Sequence, residues 1–142
     1  MTLDPRGPRF AAGVTAVVLV VVLITGSGWL ALAQTAVFAI GAANIRYAPY
    51  ALLYRWLVAP RLTPPPTREA AEPVRFSQAV GFLFLAAGTV GYLAGAPVLG
   101  LVATALGLAA AFLNAAFGFC LGCEMYLLLR RATASRPPAR TA

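Results

Sequence analysis

At 142 residues, the chain has room for a single domain of a few helices. Hydrophobic residues make up 61% of it and charged ones 11%, against roughly half and roughly a quarter in an ordinary soluble domain, which excludes that class. The net charge of +7 comes from arginine alone, and with no histidine, no lysine and only Asp4, Glu69, Glu72 and Glu124 as acids, most enzyme mechanisms lack their parts.

Four apolar runs follow one another: Phe10 to Thr25, Trp29 to Ile45, Phe76 to Ala94, and Val98 to about Phe119. At a rise of about 1.5 Å per residue a membrane span needs about 20 residues, with roughly 17 as the lower limit. The first two runs are near that limit, so their ends borrow flanking residues or thin the bilayer locally. Gly26-Ser27-Gly28 and Gly95-Ala96-Pro97 supply uncharged, tight reversals within each pair of runs. The expected fold is therefore an all-α membrane protein with four transmembrane helices.

The arginines fall into three groups: Arg6 and Arg9; Arg46, Arg55, Arg61, Arg68 and Arg75; and Arg130, Arg131, Arg136 and Arg140. All three lie on one side of a four-span chain, a topological signal rather than a patch built for nucleic acid. Positive-inside bias then places both termini and the middle loop in the cytoplasm, with the two short turns outside. A cleaved signal peptide is the rival reading of the first run. It is disfavoured because the glycine turn leads straight into another apolar run.

Between the second and third runs, Tyr47 to Val58 mixes aromatics with arginine, as a helix lying in the headgroup zone would. Tyr47, Tyr50, Tyr54 and Trp56 all suit a water–lipid boundary. Thr63-Pro64-Pro65-Pro66-Thr67 is a stiff connector, and residues 132–142 read as a disordered tail.

The two halves of this single membrane domain are alike. Arg9-Phe10 follows Asp4-Pro5, and Arg75-Phe76 follows Glu72-Pro73; Asn44 and Asn114, then Tyr54 and Tyr126, recur at similar distances. Residues of about 4–60 and 74–131 are thus expected to be parallel helical-hairpin repeats, joined by a proline-rich linker over 61–73. Coincidence in a biased composition is the alternative. Small residues along the third and fourth runs, Gly88, Gly91 and Gly107 among them, suit close helix packing in lipid.

Chemistry, if there is any, belongs to Cys120 and Cys123, the chain's two cysteines, and only the second half carries them. On a helix, positions i and i+3 share a face within reach of a disulfide. At the cytoplasmic edge of the fourth span, a reduced dithiol is the expected resting state. If Gly118 and Gly122 break the span, Cys120 opens a new helix whose free N–H groups favour thiolate. If the helix is unbroken to Arg130, that help is absent. Glu124 would oppose ionisation. Zinc would need four ligands, and the neighbourhood offers two sulfurs and Glu124; a thiolate set shared by a homodimer would repair the count. Neither a metal nor a cofactor is assigned. The bland reading makes both cysteines small apolar packers. Asn114, late in the fourth span, should find a partner such as Asn44 or Gln34, or else line the cysteine site.

The block from Ala110 to Tyr126, with Asn114, Cys120-Leu121-Gly122-Cys123-Glu124 and Tyr126, resembles the signature of a bacterial membrane family known as domain of unknown function 4395. Asp4-Pro5-Arg6, Pro60-Arg61-Leu62 and Arg75-Phe76-Ser77-Gln78 are similar to it too, so the likeness covers nearly the whole chain. The resemblance implies a four-span protein without assigned activity, associated with thioredoxin-like or sulfurtransferase proteins. The expectation is an inner-membrane accessory whose Cys120/Cys123 pair exchanges electrons or sulfur with such a partner, with Asn114, Glu124 and Tyr126 in support. A non-catalytic scaffold or small-solute permease is the competing expectation.

Overall fold

The computed structural model describes residues 2–3, 6–61, 63 and 69–133. Asp4-Pro5, the triple proline of the connector and residues 134–142 of the expected tail lie outside the described residues. Among the described residues, six α-helices carry the fold: α1 (Arg6–Thr25), α2 (Gly28–Ala43), the short α3 (Pro49–Leu53), α4 (Ala71–Leu93), α5 (Pro97–Phe117) and α6 (Leu121–Thr133). A two-residue antiparallel ladder, Thr2–Leu3 against Glu69–Ala70, ties the approach to α1 to the approach to α4.

α1, α4 and α5 are long and apolar enough to cross a membrane, which marks the chain as a membrane protein; α2 is apolar but has only 16 residues. α1 takes in Arg6 to Arg9 ahead of the apolar run, the expected borrowing of flanking residues. The reversals form where glycine and proline lie. Gly26 and Gly95 adopt positive φ, Ser27 caps α2 by accepting the Leu30 N–H on its Oγ (3.2 Å), and Pro97 opens α5.

The four long helices pack as a ring in which α4 lies against α2 and α5, and α1 against α5 and α2. Leu19 and Val22 of α1, Ala31 of α2 and Leu85 of α4 meet at its centre, all with no exposed surface. Such packing stabilises by dispersion and close fit, because lipid outside is as apolar as leucine inside. A polar contact crosses this interior: the hydroxyls of Thr35 and Thr89 lie 3.1 Å apart, each also within hydrogen-bond distance of its own helix's carbonyl one turn back, Ala31 and Leu85.

At the opposite end from the glycine turns, arginines close helix ends. Arg75 donates to the Ala42 and Ala43 carbonyls at the end of α2 (3.0–3.1 Å), and Arg9 donates to the Ala115 carbonyl near the end of α5 (3.3 Å). These carbonyls have no partner within their own helices, and a cation at a helix C-terminus also suits its dipole.

The segment expected at the headgroup zone is helical, α3 continuing through a π turn over Tyr54–Val58. It differs from expectation in where its aromatics point. Tyr47 and Trp56 are exposed, but Tyr54 is buried against Phe10 (ring centroids 5.8 Å apart) and the Tyr50 hydroxyl donates to Gln34 Oε1 of α2 at 2.7 Å. Tyr50 and Tyr54 are four residues apart and so share the face turned to α1 and α2. Burial pushes the Tyr50 phenol above its usual pKa, which keeps the donating proton in place. Gln34 is almost wholly buried, and its amide nitrogen has no partner among the described residues. Tyr50→Phe would leave the amide's oxygen stranded as well. We expect a loss of about 1–3 kcal/mol, measured as a lower unfolding midpoint in detergent, and an unchanged midpoint would show that the contact carries no weight.

Candidate functional site

The site begins where α5 stops. Gly118 adopts the left-handed conformation (φ 70°), which glycine enters without a Cβ penalty, and its N–H turns back to the Asn114 carbonyl at 2.9 Å. Phe119 N–H follows onto the Leu113 carbonyl. The helix is therefore interrupted, not continuous to Arg130; the break runs from Gly118 to Cys120, and Gly122 is inside α6. Of the two arrangements open from sequence, the chain adopts the broken one.

Cys120 occupies the position just ahead of α6. Its carbonyl accepts the Glu124 N–H (3.0 Å) and its Sγ accepts the Cys123 N–H (3.2 Å), so the sulfur takes the role a serine oxygen plays at an ordinary helix start. Cys123 follows in the first turn. The pair thus sits across a helix N-terminus and not on a helix face, and with Cα atoms 5.2 Å apart the two sulfurs are joined as a disulfide. This differs from the reduced resting state expected of a cytoplasmic dithiol. The turn lets the pair close, since it sets the two Cα atoms 5.2 Å apart, within the span of a disulfide.

α4 holds the turn from below. Gly122 is buried against Ser77, and a methyl group there would fall 2.6 Å from Ser77 Oγ and 2.7 Å from its Cα. This close approach brings Ser77 Oγ to 3.6 Å from Cys120 Sγ. In the oxidised pair the sulfur carries no proton, so the serine O–H is the donor. Cys123 packs against a small apolar cluster of Ile45, Ala48, Ala71 and Val74. Cys120 faces a hydroxyl and Cys123 faces hydrocarbon.

The supporting residues are distributed unevenly. Tyr126 stacks at a tilt on Phe76 (5.6 Å) and receives a hydrogen bond from Arg130 (3.0 Å), whose guanidinium also lies over its ring. Glu124 is exposed on the first turn of α6. Asn114 is half-buried in the last turn of α5, where its carbonyl makes the Gly118 turn. Gln34, one of its expected partners, is engaged by Tyr50 instead. Ser77 and Gly122 were not singled out from sequence as site residues. The available signal was that Arg75-Phe76-Ser77 repeats Arg9-Phe10-Ala11 with one hydroxyl added.

The rest of α6 runs away from the sulfurs with Leu121, Met125, Leu128 and Leu129 exposed along one stripe, and it extends through Ala132 and Thr133, where the tail was expected to begin. Among the described residues, no group of three or more cysteines and acids gathers as a metal site. The arrangement is a sulfur pair at a helix start, with the Cys120 sulfur beside the Cys123 N–H and the Ser77 hydroxyl.

A family model described as "Domain of unknown function (DUF4395)" matches residues 3–131. No curated protein and no solved structure matches the chain.

Proposed function

The chain belongs to the family described as domain of unknown function 4395, and from its sulfur site we propose that it is a membrane-embedded thiol–disulfide exchange or sulfur-relay partner. The observation that carries this reading is the placement of Cys120 at the start of α6, accepting the Cys123 N–H and lying beside Ser77. In the oxidised state, a thiolate of a thioredoxin-like or rhodanese-like partner attacks Cys120 Sγ. The Cys120–Cys123 bond breaks and Cys123 leaves as thiolate, taking up a proton. A second partner thiolate then attacks the mixed disulfide at the partner's own sulfur, and Cys120 leaves as thiolate. The partner ends oxidised by two electrons and the chain ends as a dithiol. In the reverse direction the Cys120 thiolate attacks a partner disulfide, and one partner sulfur leaves as thiolate and takes up a proton. The Cys123 thiolate then attacks Cys120 Sγ, re-forming the Cys120–Cys123 bond and releasing the partner's second thiolate, so that removing Cys123 leaves the mixed disulfide unresolved. In sulfur relay, the Cys120 thiolate takes the outer sulfur of a partner persulfide and releases the partner's thiolate.

We further propose that α2 spans the bilayer with its flanking residues, giving four spans, and that the arginine-bearing end faces the cytoplasm of a bacterial inner membrane. The halves read as two parallel hairpins. Phe10 with Tyr54 and Phe76 with Tyr126 form matching tilted pairs, Arg9 and Arg75 bind matching helix ends, and Leu19 and Leu85 are both fully buried.

Expression of Cys123→Ser in cells, with thiols blocked at lysis, should capture a covalent partner at Cys120 that dithiothreitol releases, while Cys120→Ser captures none. If both variants support undiminished cellular function and neither captures a partner, the cysteines merely pack, and a scaffold or permease remains.

A further inference from the structure

We infer that Ser77 is the positioning residue of the sulfur site: its hydroxyl donates to the Cys120 thiolate in the reduced protein and holds that sulfur reactive at neutral pH. The inference deepens the exchange reading above and rests on it for the identity of the reacting sulfur.

Three observations carry it. First, Ser77 Oγ lies 3.6 Å from Cys120 Sγ, and reduction gives that sulfur the negative charge for which an O–H donor is suited. Sulfur is large and soft, so a contact of this length is within its bonding range. Second, the approach is enforced by the backbone. Gly122 rests on the Cα of Ser77 with no room for a side chain, so the hydroxyl is held under the turn by main-chain packing. Third, the chain provides its own comparison. Placing Phe10 on Phe76 sets Ala11 on Ser77, and placing Tyr54 on Tyr126 sets Ala48-Pro49-Tyr50-Ala51 on Cys120-Leu121-Gly122-Cys123. Ala48 stands directly before α3 as Cys120 stands before α6. Where the sulfurs are missing, the hydroxyl is missing and the glycine is replaced by the tyrosine that reaches Gln34. The hydroxyl, the glycine and both sulfurs occur together in one half and are all absent from the other.

Among the described residues, the charged groups around the turn can be named. Glu124 is exposed on α6, and Glu72 and Arg75 are exposed on α4, with Arg75 engaged by the α2 carbonyls. Arg9 of α1 lies against Gly118 and donates to the Ala115 carbonyl. Tyr126, on α6, is stacked on Phe76. None of these is placed to donate to Cys120 as Ser77 is.

The test uses the full chain in detergent with Cys123→Ser as a single-thiol background, reduced, and measures the rate of iodoacetamide alkylation against pH. Adding Ser77→Ala should shift the profile upward by about one pH unit, a roughly tenfold fall in thiolate at neutral pH. Ser77→Ala removes one oxygen and adds no bulk, and an unchanged unfolding midpoint shows that the fold is kept. Superimposable profiles with and without the hydroxyl overturn the role of Ser77. Partner capture by Cys123→Ser separates this from the exchange reading. Capture without a shift overturns Ser77 alone, and a shift without capture overturns exchange while the positioning role stands.

Discussion

Gly91→Val should prevent the bundle from assembling. A first methyl at Gly91 would fall 2.5 Å from the Gly100 backbone nitrogen and 2.9 Å from the Ala96 carbonyl oxygen. Both neighbours are main chain, so no side chain can rotate aside, and valine adds two further carbons. The Gly91 carbonyl also accepts the Ala96 N–H at 2.7 Å, which closes the turn into α5. Displacing α5 from α4 therefore disturbs the hairpin as well as the contact. Overpacking a tight core costs about 1–3 kcal/mol in ordinary cases, and a backbone-to-backbone clash belongs at or above the upper end. In lipid there is no water-driven burial to offset the loss of close contact. The expected result is a large drop in folded, monodisperse protein extracted in mild detergent. Ala94→Val, at an exposed position three residues on, should leave the yield unchanged. Equal yields for the two variants would show that α4 and α5 do not approach this closely.

Gly122→Ala should leave the four long helices assembled and disable the sulfur site. The added methyl meets Ser77 at Oγ, Cβ and Cα, all within 2.6–2.7 Å, so the first turn of α6 must lift from α4. Cys120 then loses its hydroxyl neighbour and Cys123 its apolar seat. The central packing of Leu19, Val22, Ala31 and Leu85 is remote in sequence from this contact and should persist. We expect a stability loss of about 1–3 kcal/mol by unfolding midpoint. Mixed-disulfide formation should slow by an order of ten- to a hundredfold, the cost of misplacing a reacting group by about an ångström. A variant that keeps wild-type exchange kinetics would show that the seat on α4 contributes nothing to reactivity.

The residues explain why some of this was legible in the chain and some was not. α1, α4 and α5 could be read from hydropathy because crossing a bilayer is a demand each segment meets alone. The same holds for the turns at Gly26 and Gly95, whose backbone conformations glycine permits locally. The tyrosines of the middle segment misled for the opposite reason. Tyr50 and Trp56 are similar amphipathic side chains, yet one reaches Gln34 and the other is exposed, and only the neighbours of each decide. At the sulfurs, sequence supplied the two residues and a choice of two helix arrangements. It could not supply the outcome, because the strength of the Gly118 break depends on what α6 finds to pack on.

Composition and the spacing of apolar runs by themselves determined that this is a helical membrane protein, since solvation in lipid acts on each segment separately. The tertiary structure alone decided that Cys120 starts a helix, that Gly122 lets that helix rest on Ser77, and that Cys123 faces hydrocarbon. Those relations join residues 43 and more positions apart, such as Ser77 and Cys120, and no local rule reaches across such a distance until the helices have packed.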